Sequence, residues 1–172
     1  MWVKWAGACL IVCSALALGR GEAKRLKNRL ETMRLLRQMV YFLKGEIVGS
    51  RAPLDEALER AGARGMGELR ALFCRTAKRV RERRGESFQT LWREEVAQLG
   101  ECFLTDDDRK HLISLGDHLG YLDVQMQERT ILLFLEQLDF SLEEARAQLS
   151  VKCRLYTCLG AAFGLFLVIL LC

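Results

Sequence analysis

The residues of this chain that could do chemistry are few and poorly spaced for it. Three consecutive aspartates (Asp106, Asp107, Asp108), two histidines (His111, His118) and seven cysteines are the types able to hold a metal or attack a substrate. Successive side chains on a helix diverge by about 100°, so the aspartates splay apart instead of converging on an ion. With Thr105 ahead of them they read as a helix start, a hydroxyl cap followed by first-turn carboxylates that satisfy free N–H groups and complement the helix dipole. The histidines stand seven residues apart, roughly 10 Å along a helix axis, too far to share one metal. The cysteines (Cys9, Cys13, Cys74, Cys102, Cys153, Cys158, Cys172) are odd in number and form no C-x-x-C pair, so they read as reduced and structural. No Ser-His-Asp elbow, phosphate-cradling glycine loop or Walker sequence occurs. Catalysis needs clustered titratable groups in a pocket. The expectation is a protein with no catalytic, cofactor or metal site.

The elements that carry these residues are helical. There is a single proline among 172 residues, and 51% of the chain is apolar, with Leu, Ala, Arg and Glu abundant; that composition favours an all-α chain of one domain plus extras. Pro53 marks the corner. Its locked φ and missing N–H suit the first position of a helix, and the residue before it is pushed out of the helical region. Gly49-Ser50-Arg51-Ala52 is therefore the connector between an incoming helix and one that starts at Leu54. Before the corner, Leu26, Leu30, Met33, Leu36, Val40, Leu43 and Ile47 step by three or four, one face of a helix. After it, Gly62, Gly65 and Gly67 close the short second helix. Met66, Leu69, Leu72, Phe73, Ala77 and Val80 make a third, and Phe88, Leu91, Trp92, Val96 and Leu99 a fourth, ended by Gly100. The fifth carries Leu112, Leu115 and Leu119 and stops near Gly116 to Gly120. Asp123 caps the last helix, whose seam of Ile131, Leu135, Leu138, Leu142, Ala145 and Leu149 is heptad-like. Its opposite side holds Glu136, Gln137, Asp139, Glu143, Glu144 and Arg146. The first and last stripes match in length and period, so the two long helices are expected to pair antiparallel.

Both ends are apolar. Trp5 to Gly19 is uncharged and reads either as a short membrane anchor with Lys4 snorkelling or as a cleaved signal peptide. Arg20, Lys24, Arg25, Lys27 and Arg29 follow at once, and clustered positive charge stays cytoplasmic, which favours the anchor. Leu155 to Cys172 is uncharged to the end, long enough to span a bilayer, and carries Gly160 and Gly164 as a G-x-x-x-G packing motif. Arg146, Lys152 and Arg154 precede it. The expected organisation is an N-terminal anchor over 1–19, a cytoplasmic antiparallel bundle of about six helices over 20–154 and a C-terminal transmembrane helix over 155–172, with both termini outside.

The third helix is the basic one. Arg64, Arg70, Arg75, Lys78, Arg79, Arg81, Arg83 and Arg84 stand against Glu68 and Glu82 alone. A solvated face explains this, and so does a docking surface for anionic lipid or an acidic protein, with Arg79 and Arg83 as candidate contacts. Nucleic acid is not expected: the net charge is only +4 and no aromatics interleave with the basic residues as stacking platforms. No small-molecule substrate is expected either.

Two stretches carry a family resemblance. RLLRQMVYFLKGEIVGSRAPLDEAL (Arg34 to Leu58) and GDHLGYLDVQMQ (Gly116 to Gln127) resemble the stage III sporulation protein AB family of endospore-forming bacteria. The first matches the family's leucine stripe, its glutamate–isoleucine pair (Glu46, Ile47) and its threonine-proline-leucine corner. The second matches its glycine–leucine–glycine–x–x–aspartate segment through Leu119, Gly120, Asp123 and Gln127. Two positions depart: Ala52 replaces the usual capping threonine, a loss of about 1 kcal/mol, and Gly49 replaces a common aromatic. The resemblance runs almost end to end. It implies a soluble part similar to the cytoplasmic helical domain of type II secretion F proteins, and a non-enzymatic scaffold in the outer forespore membrane on the mother-cell side. The implied partners are a secretion-type ATPase and other membrane subunits of a channel complex, with self-association left open. Candidate partner contacts are then Glu46, Pro53, Leu54, Gly120, Asp123 and Gln127, beside Arg79 and Arg83. The competing reading from the residues alone is a membrane-tethered regulator or enzyme that turns the basic third helix on acidic lipids or substrates.

Overall fold

The computed structural model describes the backbone of residues 2–82, 85–100, 103–120 and 123–171, and the side chains of 21, 24–82, 85–100, 103–117, 119–120, 123–151 and 155. Every described element is helical: α1 (Trp2–Lys44), a π-helical turn (Gly45–Gly49), α2 (Leu54–Ala63), α3 (Gly67–Glu82), α4 (Phe88–Ala97), α5 (Asp106–Leu119) and α6 (Val124–Leu171). The chain forms two compact units, one of residues 1–30 with 144–172 and one of residues 31–143. Backbone helix runs without a break through residues 19 and 154, so the expected anchors continue the first and last helices and are not separate elements. Among the described residues no helix is long and apolar enough to cross a membrane. The side chains of the two expected anchors lie almost wholly outside the described residues. So do those of every cysteine except Cys74, which is a free thiol.

In the unit of residues 31–143, the stripe of α1 is buried as its period requires. Met33, Leu36, Met39, Val40 and Leu43 are all at most 1% exposed. On α6, Ile131, Leu135, Leu138 and Leu142 are buried, joined by Phe134, which the heptad seam omits. Two ion pairs fix the register of the two long helices. Arg37 donates from Nε and Nη2 to the Asp139 carboxylate, and Lys44 Nζ lies 3.2 Å from Glu128 Oε1. Seven residues forward on α1 correspond to eleven backward on α6, so these segments run antiparallel, as expected.

The corner differs from the expectation in detail. The chain leaves α1 through the π turn, where the Ser50 N–H donates to Gly45 O at 3.2 Å and the Ala52 N–H to Glu46 O at 3.0 Å. Arg51 sits between them in the left-handed region, with φ +49°. Pro53 is the residue ahead of the first helical position, with ψ 148° and no side-chain cap, and its carbonyl accepts from the Ala57 N–H at 2.9 Å. The cap position is therefore 53, not 52, and Ala52 is a helix-end residue whose N–H closes the π turn. Asp55 and Glu56 in the first turn of α2 supply the negative charge that the missing cap does not. A left-handed conformation costs a non-glycine residue about 1–2 kcal/mol and glycine almost nothing. Arg51→Gly is thus expected to stabilise the fold by about 1 kcal/mol, and Arg51→Val to destabilise it; thermal melts of the two variants check both signs.

The other starts follow their signals. Ser87 Oγ accepts from the Thr90 N–H at 3.2 Å at the start of α4. At α5, Thr105 and Asp108 cap one another: the Asp108 N–H donates to Thr105 Oγ1 at 3.3 Å and the Thr105 N–H to Asp108 Oδ2 at 2.9 Å. This reciprocal bonding gives Asp108 the capping role the sequence suggested, while Asp107 accepts from Lys110 Nζ at 2.8 Å. Two assignments shift: Gly62 lies inside α2, and Met66 is 72% exposed and outside the core of α3. The end of α5 at Leu119 falls within the expected stop, past a buried Gly116.

Candidate partner-binding cleft

Helices α3, α4 and α5 converge on Trp92, which is wholly buried. Its ring meets Phe73 edge-on at 5.5 Å and stacks on Phe88 at 6.0 Å, and its Nε1 donates to Leu112 O at 2.7 Å. Fixing this ring fixes Phe88, and Phe88 forms part of a cleft of about 360 Å³ bounded by Leu54, Arg79, Val80, Gly85, Glu86, Phe88, Leu91 and Gly120. Its parts come from the start of α2, the end of α3, the start of α4 and the residue just past α5. Gly120 matters for steric reasons: a Cβ there would stand 3.0 Å from Phe88 Cβ, so a side chain would crowd Phe88 at the cleft wall.

The cleft is apolar on one side and ionic on the other. Arg79 Nη2 donates to Glu94 Oε2 at 2.7 Å and Glu86 Oε2 at 2.8 Å, and its Nη1 to Glu95 Oε1 at 3.3 Å. The hydrogen bond it donates to Glu94 holds the guanidinium pKa above its ordinary value against the opposing effect of burial. Glu95, nearly buried, also receives Arg75 Nε at 2.7 Å. Arg81 reaches Asp55 and Glu59, and Arg64 lies over the Phe42 ring at 4.1 Å. Three of the basic residues of the third helix, Arg75, Arg79 and Arg81, are thus answered by carboxylates of α2, the α3–α4 connection and α4, which the sequence places too far away to pair by eye.

A family model for stage III sporulation protein AB matches residues 4–172. The chain belongs to the stage III sporulation protein AB family. A solved structure titled stage III sporulation protein AB superposes with a TM-score of 0.65 at 22% identity, over 72% of this chain and 97% of that one; at that identity the likeness establishes a shared fold. No curated protein matches.

The two stretches that resemble the stage III sporulation protein AB family meet at the cleft. Leu54 from the first and Gly120 from the second line it together with Arg79. The other candidates are placed elsewhere. Glu46 accepts from Arg60 Nη1 at 2.7 Å and ties the π turn to α2. Pro53 opens α2. Asp123 Oδ1 accepts from the Gln125 N–H at 3.1 Å, and Gln127, nearly buried, donates from Nε2 to Leu119 O at 2.8 Å. These two carry out the α5–α6 turn: one caps the new helix, the other takes a carbonyl left free at the end of the old one. Arg83 lies outside the described residues. Sequence reading missed Phe88, Leu91 and Glu86 as cleft residues because Phe88 and Leu91 fall on the core stripe of α4. The Ser87 cap was the available signal that Phe88 starts a helix and so stands at its rim. Among the described residues no group of three or more His, Cys, Asp or Glu could hold a metal.

Proposed function

We propose that this chain is a non-enzymatic, membrane-anchored platform subunit of a sporulation channel complex. It binds a secretion-type ATPase through the cleft of its cytoplasmic helical domain. The observation that carries this reading is the convergence of Leu54, Gly120 and Arg79 on one cleft. Residues far apart in sequence, in the two stretches that resemble the family, form a single concave surface with an apolar wall and a charged rim, the layout of a protein-docking pocket. Anchoring rests on the uncharged stretches within 1–19 and 155–172 and on the basic residues that border them, with residues 20–154 on the cytoplasmic side of the outer forespore membrane. The other membrane subunits of the complex are the expected neighbours of those anchors.

The test is recovery of partners from detergent extracts of sporulating cells with a tagged full chain. The parent is expected to bring down an ATPase and other membrane subunits. Leu54→Asp is expected to lower ATPase recovery about tenfold, a loss of roughly 1.4 kcal/mol, while leaving the membrane subunits. Leu54 is only half-buried, so the fold should survive, and circular dichroism checks that it does. Equal ATPase recovery by parent and variant would remove the cleft from the docking surface.

A further inference from the structure

The outward face of α6 is not the polar face its charged residues suggest. Met126, Leu133 and Phe140 are 46%, 56% and 67% exposed. They recur every seven residues, about 10 Å apart along the axis, on the side opposite Ile131, Leu135, Leu138 and Leu142. A regular exposed apolar column of this kind marks a docking site for another helix. Its charged flank is Arg129, Glu136 and Glu143, also seven apart. All three are exposed and make no ion pair with any described residue, whereas Glu128 and Asp139 are already engaged by Lys44 and Arg37.

That flank decides between occupants. An anionic lipid surface would be repelled by Glu136 and Glu143 beside Phe140. A second copy anchored at both ends in the same membrane must run parallel, a step that rests on the anchored reading above. In register, it would set Arg129 against Arg129 and Glu136 against Glu136. We infer that this face takes a basic amphipathic helix of a different protein, with apolar residues every seven positions and Lys or Arg opposite Glu136 and Glu143.

The probe is a synthetic helix of about three heptads, leucine at the seven-residue positions and lysine on the flanks, with a glutamate-flanked twin. Binding to the full chain in a neutral maltoside is read by fluorescence anisotropy. The lysine peptide should bind more tightly than its twin, and Leu133→Asp with Phe140→Asp should weaken it at least about tenfold. Glu136→Lys with Glu143→Lys should reverse the preference between the peptides. All four substituted side chains are exposed, so the fold is retained, and the melting temperature confirms this. Equal binding of the two peptides, no binding, or indifference to Leu133→Asp with Phe140→Asp would overturn the proposal. So would a parent dimer, by light scattering, that these two changes dissociate, since it would give the face to a second copy. Retention of the chain in carbonate-washed membranes reports on the anchored reading separately.

Discussion

Gly116→Ala is expected to destabilise the bundle by about 1–3 kcal/mol, although alanine is the better helix former by about 1 kcal/mol. A Cβ at position 116 would stand 2.1 Å from Trp92 Cδ1, 2.4 Å from Cγ and 2.8 Å from Cβ. None of these atoms is a free end. The ring is held by Phe73, by Phe88 and by its hydrogen bond to Leu112 O, so it moves only by breaking that bond or opening the aromatic cluster. Overpacking of this kind costs about 1–3 kcal/mol, and the lost hydrogen bond about 1 more. The effect reaches the cleft as well, since Phe88 stacks on the displaced ring. Urea denaturation followed by near-ultraviolet circular dichroism measures the loss. In a Trp92→Leu background the same glycine change should cost far less, because the two sites are coupled through one contact. A Gly116→Ala variant that melts with the parent or above it would show that Trp92 is not pinned as described.

Gly116 also shows where sequence reading runs out. As a residue it looked like a helix end, since glycine breaks a helical pattern and Gly120 follows closely. Its actual role, making room for an indole from another helix, is set by a neighbour twenty-four residues away. Local signals, by contrast, were legible. The stripe that starts at Leu26, the cap at Thr105, the cap at Asp123 and the break at Pro53 all depend on residues within one or two turns, and the structure honours them to within a position. The antiparallel pairing of the long helices could be read from matched periods, and Arg37–Asp139 realises it. Two things could not be read. One is the exposure of Leu133 and Phe140, which fall outside the heptad seam and are 56% and 67% exposed. The fate of the basic third helix was the other, because charge counted along one helix ignores the carboxylates that folding brings across from its neighbours.

Arg75→Met with Arg79→Met is expected to cost about 3 kcal/mol or more, whereas Glu95→Met should cost about 1. The asymmetry follows from who is buried. The Glu95 side chain is 5% exposed, while those of Arg75 and Arg79 are 40% and 27% exposed. Removing both guanidiniums strands a carboxylate away from water with no cation in reach. Removing the carboxylate leaves Arg79 with Glu86 and Glu94 and lets Arg75 turn to solvent. Arg75 has little to lose in turning, because its Nη2 is already buried without a hydrogen-bond partner. Combining all three methionines should recover most of the stability lost in the double arginine variant, since an apolar replacement of a whole buried ionic group is close to neutral. Urea melts of the three variants give the comparison directly. A double arginine variant as stable as the parent would mean that these cations do not hold α3 to α4, and would return Arg75 and Arg79 to the role of a free basic surface.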